Sequence, residues 1–276
     1  MSQVKILFRC CEAVPCFSGG SRISNIQKAE LIELSFLSLL NTISHALENT
    51  DYVFSLTIVH DQVSSKLLKK IISYCTSLRQ NPNFLLSAHS IDEFFITDNL
   101  TGNGRSLKAC YHLADSADVH DLIFFVEDDY LHEKSTLTEM LDIYTRFQEK
   151  HEDIVVHPCD YPDRYNQVYP STIHLGTSRH WRTIKHTTCT FMLSSNVFNK
   201  YRVHYTDFTL YGSVLGISED NTLNLVYDSV ACLSPIPSLS VHYQYDSTLS
   251  PFVSEQSLLL QAKNLRESVN TYGLSI

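Results

Sequence analysis

Leu122-Ile123-Phe124-Phe125-Val126-Glu127-Asp128-Asp129-Tyr130 decides how this chain is read. A short apolar run bounded by polar residues reads as a buried strand. Here the run ends in three consecutive acids, whose carboxylates repel one another at a sheet edge unless a cation sits among them. Hard oxygen ligands suit Mg²⁺ or Mn²⁺, and those ions suit a phosphate-bearing substrate. The carboxyl ends of strands in an open α/β sheet are also where ligands bind. The alternative is a solvated acidic turn, since short motifs are hypotheses.

On the N-terminal side of this stretch, strand and helix patterns alternate. Residues 5–9 read as a strand and residues 10–25, rich in Gly, Ser and Pro, as a loop. Ala29, Ile32, Phe36, Leu40, Ile43 and Leu47 recur at helical spacing. A strand over 52–59 ends in His60-Asp61, and Leu67, Ile71, Cys75 and Leu78 mark a second helix. Residues 84–89 form a third strand, Thr101-Gly102-Asn103-Gly104 a turn, and residues 106–117 a helix. On the other side, Thr136-x-x-Glu139 reads as a capping box opening a helix to about Phe147. The repeat predicts a mostly parallel sheet with helices on both faces. Past residue 150 strands are expected at 154–157 and 189–193, a helix over 219–227 capped by Ser218, a segment over 234–245 that holds Pro235 and Pro237 and then a short strand, and a terminal helix over 254–269. No linker is evident, so one domain over 1–276 is expected, with a nucleotide half (1–130) and an acceptor half (131–276).

The 276 residues are 43% hydrophobic and 18% charged, enough apolar material for a core and too little charge for disorder. A net charge of −9 argues against a nucleic-acid partner. An acidic protein handling an anionic ligand needs a metal or local basic residues. The eight cysteines form no C-x-x-C pair, which gives little support to zinc and suggests reduced thiols in the cytoplasm. No stretch approaches the length of a membrane span.

Asp61, the triplet Glu127–Asp129, the pair Glu219-Asp220 and His242 stand in an order that resembles the GT-A class of nucleotide-sugar glycosyltransferases, family 2-like. FFVEDDYLHE is similar to the E-D-D version of the DxD motif in N-acetylglucosaminyltransferase I and its kin. The resemblance implies a GT-A-like α/β fold and a metal-dependent, inverting transfer of a sugar from a nucleoside-diphosphate donor, most readily UDP- or GDP-linked, to a glycan or other hydroxyl acceptor. It implies that Asp129 and His242 hold Mn²⁺ or Mg²⁺, that Glu127 and Asp128 touch the donor, and that Asp61 contacts its nucleobase or ribose. It further implies that Gly102-Asn103-Gly104-Arg105-Ser106-Leu107-Lys108 crosses the donor, with Arg105 or Lys108 meeting phosphate, and that Asp220, or Glu219, is the base on the acceptor hydroxyl. The physics is independent of the name: a diphosphate leaving group builds negative charge that a divalent ion offsets, and a carboxylate then removes the acceptor proton.

Each residue also has a plainer reading. Asp61 serves as a turn or cap residue, Glu219-Asp220 as first-turn acids on a helix dipole, and His242 as a packed strand residue. Trp181 and Arg182, in Arg179-His180-Trp181-Arg182, are candidates for stacking on an acceptor sugar or base and for holding phosphate. The loop 10–22 is a candidate cover for the nucleoside, and His157-Pro158-Cys159-Asp160-Tyr161 a weaker candidate for the acceptor side. Departures from family 2 are the opening FRCCEAVPC and a second strand ending in a lone Asp61. The rival enzyme class is a sugar nucleotidyltransferase, which wants a Gly-rich basic loop after the first strand. Here that loop holds Gly19, Gly20 and Arg22 but no lysine. A non-catalytic nucleotide- or sugar-binding protein on the same fold is the remaining alternative.

Overall fold

The structure, a computed structural model, describes residues 2–13, 23–94, 100, 103–150, 152–187, 190–245, 248–253 and 255–272. Gly19, Gly20, Arg22, Gly102 and Cys189, all used in the sequence reading, lie outside the described residues.

The alternation seen in the sequence is realised as β1 (Gln3–Cys11), α1 (Lys28–Asn49), β2 (Val53–Asp61), α2 (Ser65–Tyr74), β3 (Phe84–Ser90), α3 (Asn103–Ala114) and β4 (Leu122–Glu127). There follow β5 (Tyr130–His132), α4 (Thr136–Gln148), β6 (Ile154–Val156), β7 (Ile173–Leu175), β8 (His180–Ile184), β9 (Phe191–Ser194), α5 (Ser195–Lys200), α6 (Arg202–Phe208), β10 (Ala231–Ile236), β11 (Ser240–His242) and α7 (Glu255–Tyr272). Nine strands form one sheet in the order β3-β2-β1-β4-β9-β6-β10-β8-β7, and β5 pairs with β11 in a separate ribbon. Within the nine, only β8 and β9 run against the rest.

Strand periodicity explains why the sheet is covered on both sides. Successive side chains of a strand point to opposite faces. In β4, Leu122, Phe124 and Val126 join α1, α2 and α4 in one core. Ile123 and Phe125 join α3, α5 and α6 in the other. Strands buried on both faces read as continuous hydrophobic runs, as β4 does. The fold is α/β, with a mostly parallel sheet between two helical layers.

Three expectations need correction. The capping box at Thr136 does not form: Thr136 Oγ1 donates to Glu133 O at 2.8 Å, and the Leu137 N–H is satisfied by Thr42 Oγ1 of α1 at 2.8 Å. Glu139 instead receives Arg179 at 2.7 Å. The expected helix over 219–227 is a turn followed by a 3₁₀ helix, Leu223–Asp228. Ser218 Oγ does accept from Asn221 N (3.4 Å) and Ser218 N donates to Asn221 Oδ1 (2.8 Å), but the chain that follows turns and continues as the 3₁₀ helix. The short strand expected after the prolines is β11, but Pro235, expected ahead of it, lies inside a further strand. It sits in β10 opposite Trp181 of β8, beyond Leu233, where the ladder to β6 ends and no donor is required of it.

Gly104 marks a tight crossing of α3 over the end of α6, since a Cβ there would collide with the carbonyl of Thr209. Alanine ordinarily stabilises a helix relative to glycine. Gly104→Ala is therefore expected to reverse that sign and cost about 1–3 kcal/mol through overpacking, read as a lower midpoint in urea unfolding. Unchanged or raised stability would show that the crossing is looser than described.

Candidate functional site

In strand order, β1 lies between β2 and β4. The crossover after β1 runs through α1 on one face of the sheet, and the one before β4 through α3 on the other. Such a reversal leaves a crevice at the carboxyl ends of the two central strands. Residues Glu127 to Asp129 stand at that point, with Arg9 opposite Glu127 in the parallel register.

Each acid of the triplet meets a cation from a different element. The Arg9 guanidinium makes a short ion pair with Glu127, and it also bonds Ser106 Oγ (3.0 Å) and Asn103 Oδ1 (3.2 Å) at the start of α3. Lys28, the first residue of α1, reaches Asp128 Oδ1 at 2.5 Å, while the Cys11 N–H donates to Asp128 Oδ2 at 2.9 Å. His242 Nε2 lies 3.4 Å from Asp129 Oδ2. Burial pushes Glu127 and Asp128 above the usual carboxylate range, opposed by Arg9 and Lys28 respectively. Burial also pushes Asp129 up, but His242, by charge and hydrogen bond, with Lys28 and Arg9 behind it, holds its carboxyl below that range. For His242, burial favours the neutral ring, and Asp129 outweighs it, so the imidazole is held above its ordinary value.

The β5–β11 ribbon brings His242 here. His242 pairs with Tyr130, their rings stack at 4.6 Å, and Tyr243 N donates to Asp129 O at 2.7 Å. Tyr161 OH sits 3.2 Å from His242 Nδ1 and 2.7 Å from Tyr130 OH. One ring nitrogen is thus held by a tyrosine and the other turned to a carboxylate, as in histidines that ligate metals. Asp129 Oδ1 is buried with no hydrogen-bond partner among the described residues. These two side chains fit a divalent ion. Among the described residues no group of three or more His, Cys, Asp or Glu converges. Two protein ligands are what Mg²⁺ commonly takes when substrate phosphates complete its shell.

Glu219 and Asp220 separate. Burial, then the charge of Glu127, then that of Asp220, push Glu219 up to about 7. Its carboxyl therefore lies within electrostatic reach of the triplet. Asp220 is exposed and faces Asn224 Nδ2 (3.1 Å) and His186 Nδ1 (3.4 Å).

The chain resembles solved glycosyltransferases at low identity. It aligns with galactosyltransferase LgtC in complex with donor and acceptor sugar analogs at a TM-score of 0.48 and 10% identity, over 99% of this chain and 97% of that one. An active-site mutant of LgtC gives 0.49 and 10% over the same shares. The apo bifunctional glycosyltransferase WbbM gives 0.47 and 11% over 95% of this chain, which spans only 44% of WbbM. No protein-family model matches the sequence, and no curated protein matches it. At these scores the likeness carries no argument of its own, and the chemistry is decided by the site.

Asp61 is half-buried at the end of β2, beside Cys11 in the sheet. Arg105 lies on α3 and reaches Asp92 at 3.4 Å. Trp181 is 1% exposed and belongs to the main core, so its ring has no face toward solvent or ligand. Arg182 pairs with Asp160 at 2.9 Å and covers the Tyr165 ring at 4.4 Å. Neither residue meets the triplet through any of these contacts. Arg9 and Lys28 have no role in the sequence reading, which places His157 and Tyr161 only as weaker candidates for the acceptor side. His157 is buried, its ring stacks on Tyr161 at 5.6 Å, and burial pushes its pKa down to about 3. Among the cations a signal was present: Arg9 ends the first strand and Lys28 opens the first helix, where chain ends of this fold meet ligands.

The shifts at His242 and Asp129 fix a pH dependence. The raised histidine contributes stability below its unfolded value and loses it as pH rises through its folded value; the depressed aspartate contributes above the ordinary carboxylate range and loses it in stronger acid. The pair is therefore most stabilising between about pH 4 and about pH 6.5. His242→Gln is expected to fall below wild type by on the order of 1 kcal/mol in that window, with the gap narrowing at higher pH. Urea unfolding at a series of pH values checks this, and a gap independent of pH would contradict it.

Proposed function

We propose that this protein is a metal-dependent, GT-A-like glycosyltransferase that moves a sugar from a nucleoside-diphosphate donor, UDP- or GDP-linked, to an acceptor hydroxyl with inversion. The observation that carries the reading is the Asp129–His242 pair beside the strand-order reversal, supported by a Glu219 carboxyl that burial and the charge of Glu127 push up.

Asp129 and His242 would hold Mn²⁺ or Mg²⁺. When bound, the ion would supply counter-charge to the diphosphate leaving group. Arg9 and Lys28 orient Glu127 and Asp128, which fixes two carboxylates as acceptors for ribose or donor-sugar hydroxyls. Glu219 is the base: a carboxylate raised to about 7 is matched to removing a hydroxyl proton near neutral pH. Inversion is the outcome this reading expects if Glu219 acts as the one base in a direct displacement at the sugar carbon. Asp220, turned outward, is left to shape the turn.

Thermal shift with UDP-, GDP-, CMP- and dTDP-sugars, with and without Mn²⁺, is expected to single out one donor whose stabilisation needs the metal and disappears in Asp129→Asn. With that donor, Glu219→Gln is expected to lower kcat by about 10²–10⁴-fold while leaving the donor shift intact. In the wild type kcat/KM should rise with pH through about 7, because the base must be deprotonated. No donor shift under any condition would refute the donor site, and full activity in Glu219→Gln would refute the base.

A further inference from the structure

A second concavity lies behind the triplet. β5 runs from Tyr130, beside His242, to His132, which lines a groove of about 670 Å³ between the end of α1 and α7. A smaller hollow of about 240 Å³ continues it and shares His132, Glu133 and Gln261. The combined space is within the size range of small-molecule sites.

The lining has a consistent chemistry. Asn41, Gln261 and Asn264 offer side-chain amides, each a donor and an acceptor. Of the two charged residues, Glu133 is engaged by Arg179 at 3.1 Å, and Lys134 has no ion pair among the described residues. Phe252 flanks the smaller hollow and is 63% exposed, an unusual position for a ring. Beneath them lies His132, 5% exposed. Its Nδ1 bonds Ser240 Oγ at 2.6 Å, while its buried Nε2 has no hydrogen-bond partner among the described residues. Burial pushes this ring down to about 3, so it is neutral, a donor at one nitrogen and an acceptor at the other. An orphaned buried polar atom is costly unless something meets it.

We propose that this groove is a carbohydrate site separate from the acid triplet, taking a neutral oligosaccharide whose hydroxyls meet the amides of Asn41, Gln261 and Asn264 and whose ring face meets Phe252. Neutral hydroxyls match amides in both senses of hydrogen bonding. An anionic ligand has one lysine to meet and Glu133 to avoid. The site does not rest on the transferase reading, because sugar binds here without donor or metal.

The test is calorimetric titration of the full chain, free of donor and metal, with lactose, maltotriose and chitotriose, and with glucose 6-phosphate as the charged control. At least one neutral sugar is expected to bind near the millimolar range, about −4 kcal/mol. Gln261→Ala, Asn264→Ala and Phe252→Ala are each expected to weaken it about tenfold or more. All three residues are exposed, so circular dichroism should report an intact fold. Asp129→Asn is expected to leave this binding unchanged. No binding of any neutral sugar, or binding lost in Asp129→Asn and kept in the groove variants, would overturn the proposal. Failure of the transferase reading appears separately, in the donor thermal shifts.

Discussion

Three consecutive carboxylates can be buried only with positive charge beside them, and this constraint organises the molecule. An unpaired buried charge costs about 3–5 kcal/mol, a large share of the stability of a whole domain. The three cations come from separate places: Arg9 from the end of β1, Lys28 from the first residue of α1, and His242 from β11. The central sheet, one helical layer and the small ribbon therefore meet at the end of β4. The repulsion that the bare sequence assigns to a metal ion is offset by the protein itself. What such an ion would find is narrower: one free carboxylate oxygen and one imidazole nitrogen.

The same arrangement divides the acids by role. Glu127 and Asp128 are each fixed by a permanently charged partner, whereas Asp129 is matched to a group whose charge depends on pH. Glu219 has no cation in its immediate balance and feels chiefly burial and Glu127, which leaves its proton easy to exchange near neutrality. Chemically alike groups thus differ in whether a cation fixes them.

The first half of the fold was legible because its signals are long and periodic. β1, α1, β2, α2, β3, α3 and β4 all follow from apolar runs and helical spacing. The second half was legible only in part: α4, β6, β9, β11 and α7 lie close to where the sequence put them, whereas β5 and β7, three residues each, are too short for a period to register. Pro235 misled because the cost of proline in a sheet depends on whether a neighbour needs its N–H, which only the ladder reveals. In the site, the acids and His242 stood out by type and order. Their partners did not, since a lysine at a helix start or an arginine at a strand end is an ordinary residue until the sheet order sets it against a carboxylate. Trp181 attracted attention by rarity, but its place opposite Pro235 buries it.

The β5–β11 ribbon also shows how far along the chain the parts of the site lie from one another. Its strands join residues as far apart as His132 and Ser240, 108 positions along the chain. Closing so long a loop is entropically expensive, and contacts of this range are slow to form. Arg9 and Glu127 are 118 positions apart and Lys28 and Asp128 are 100, so each ion pair of the triplet, like the ribbon, depends on the chain folding back over about a hundred residues.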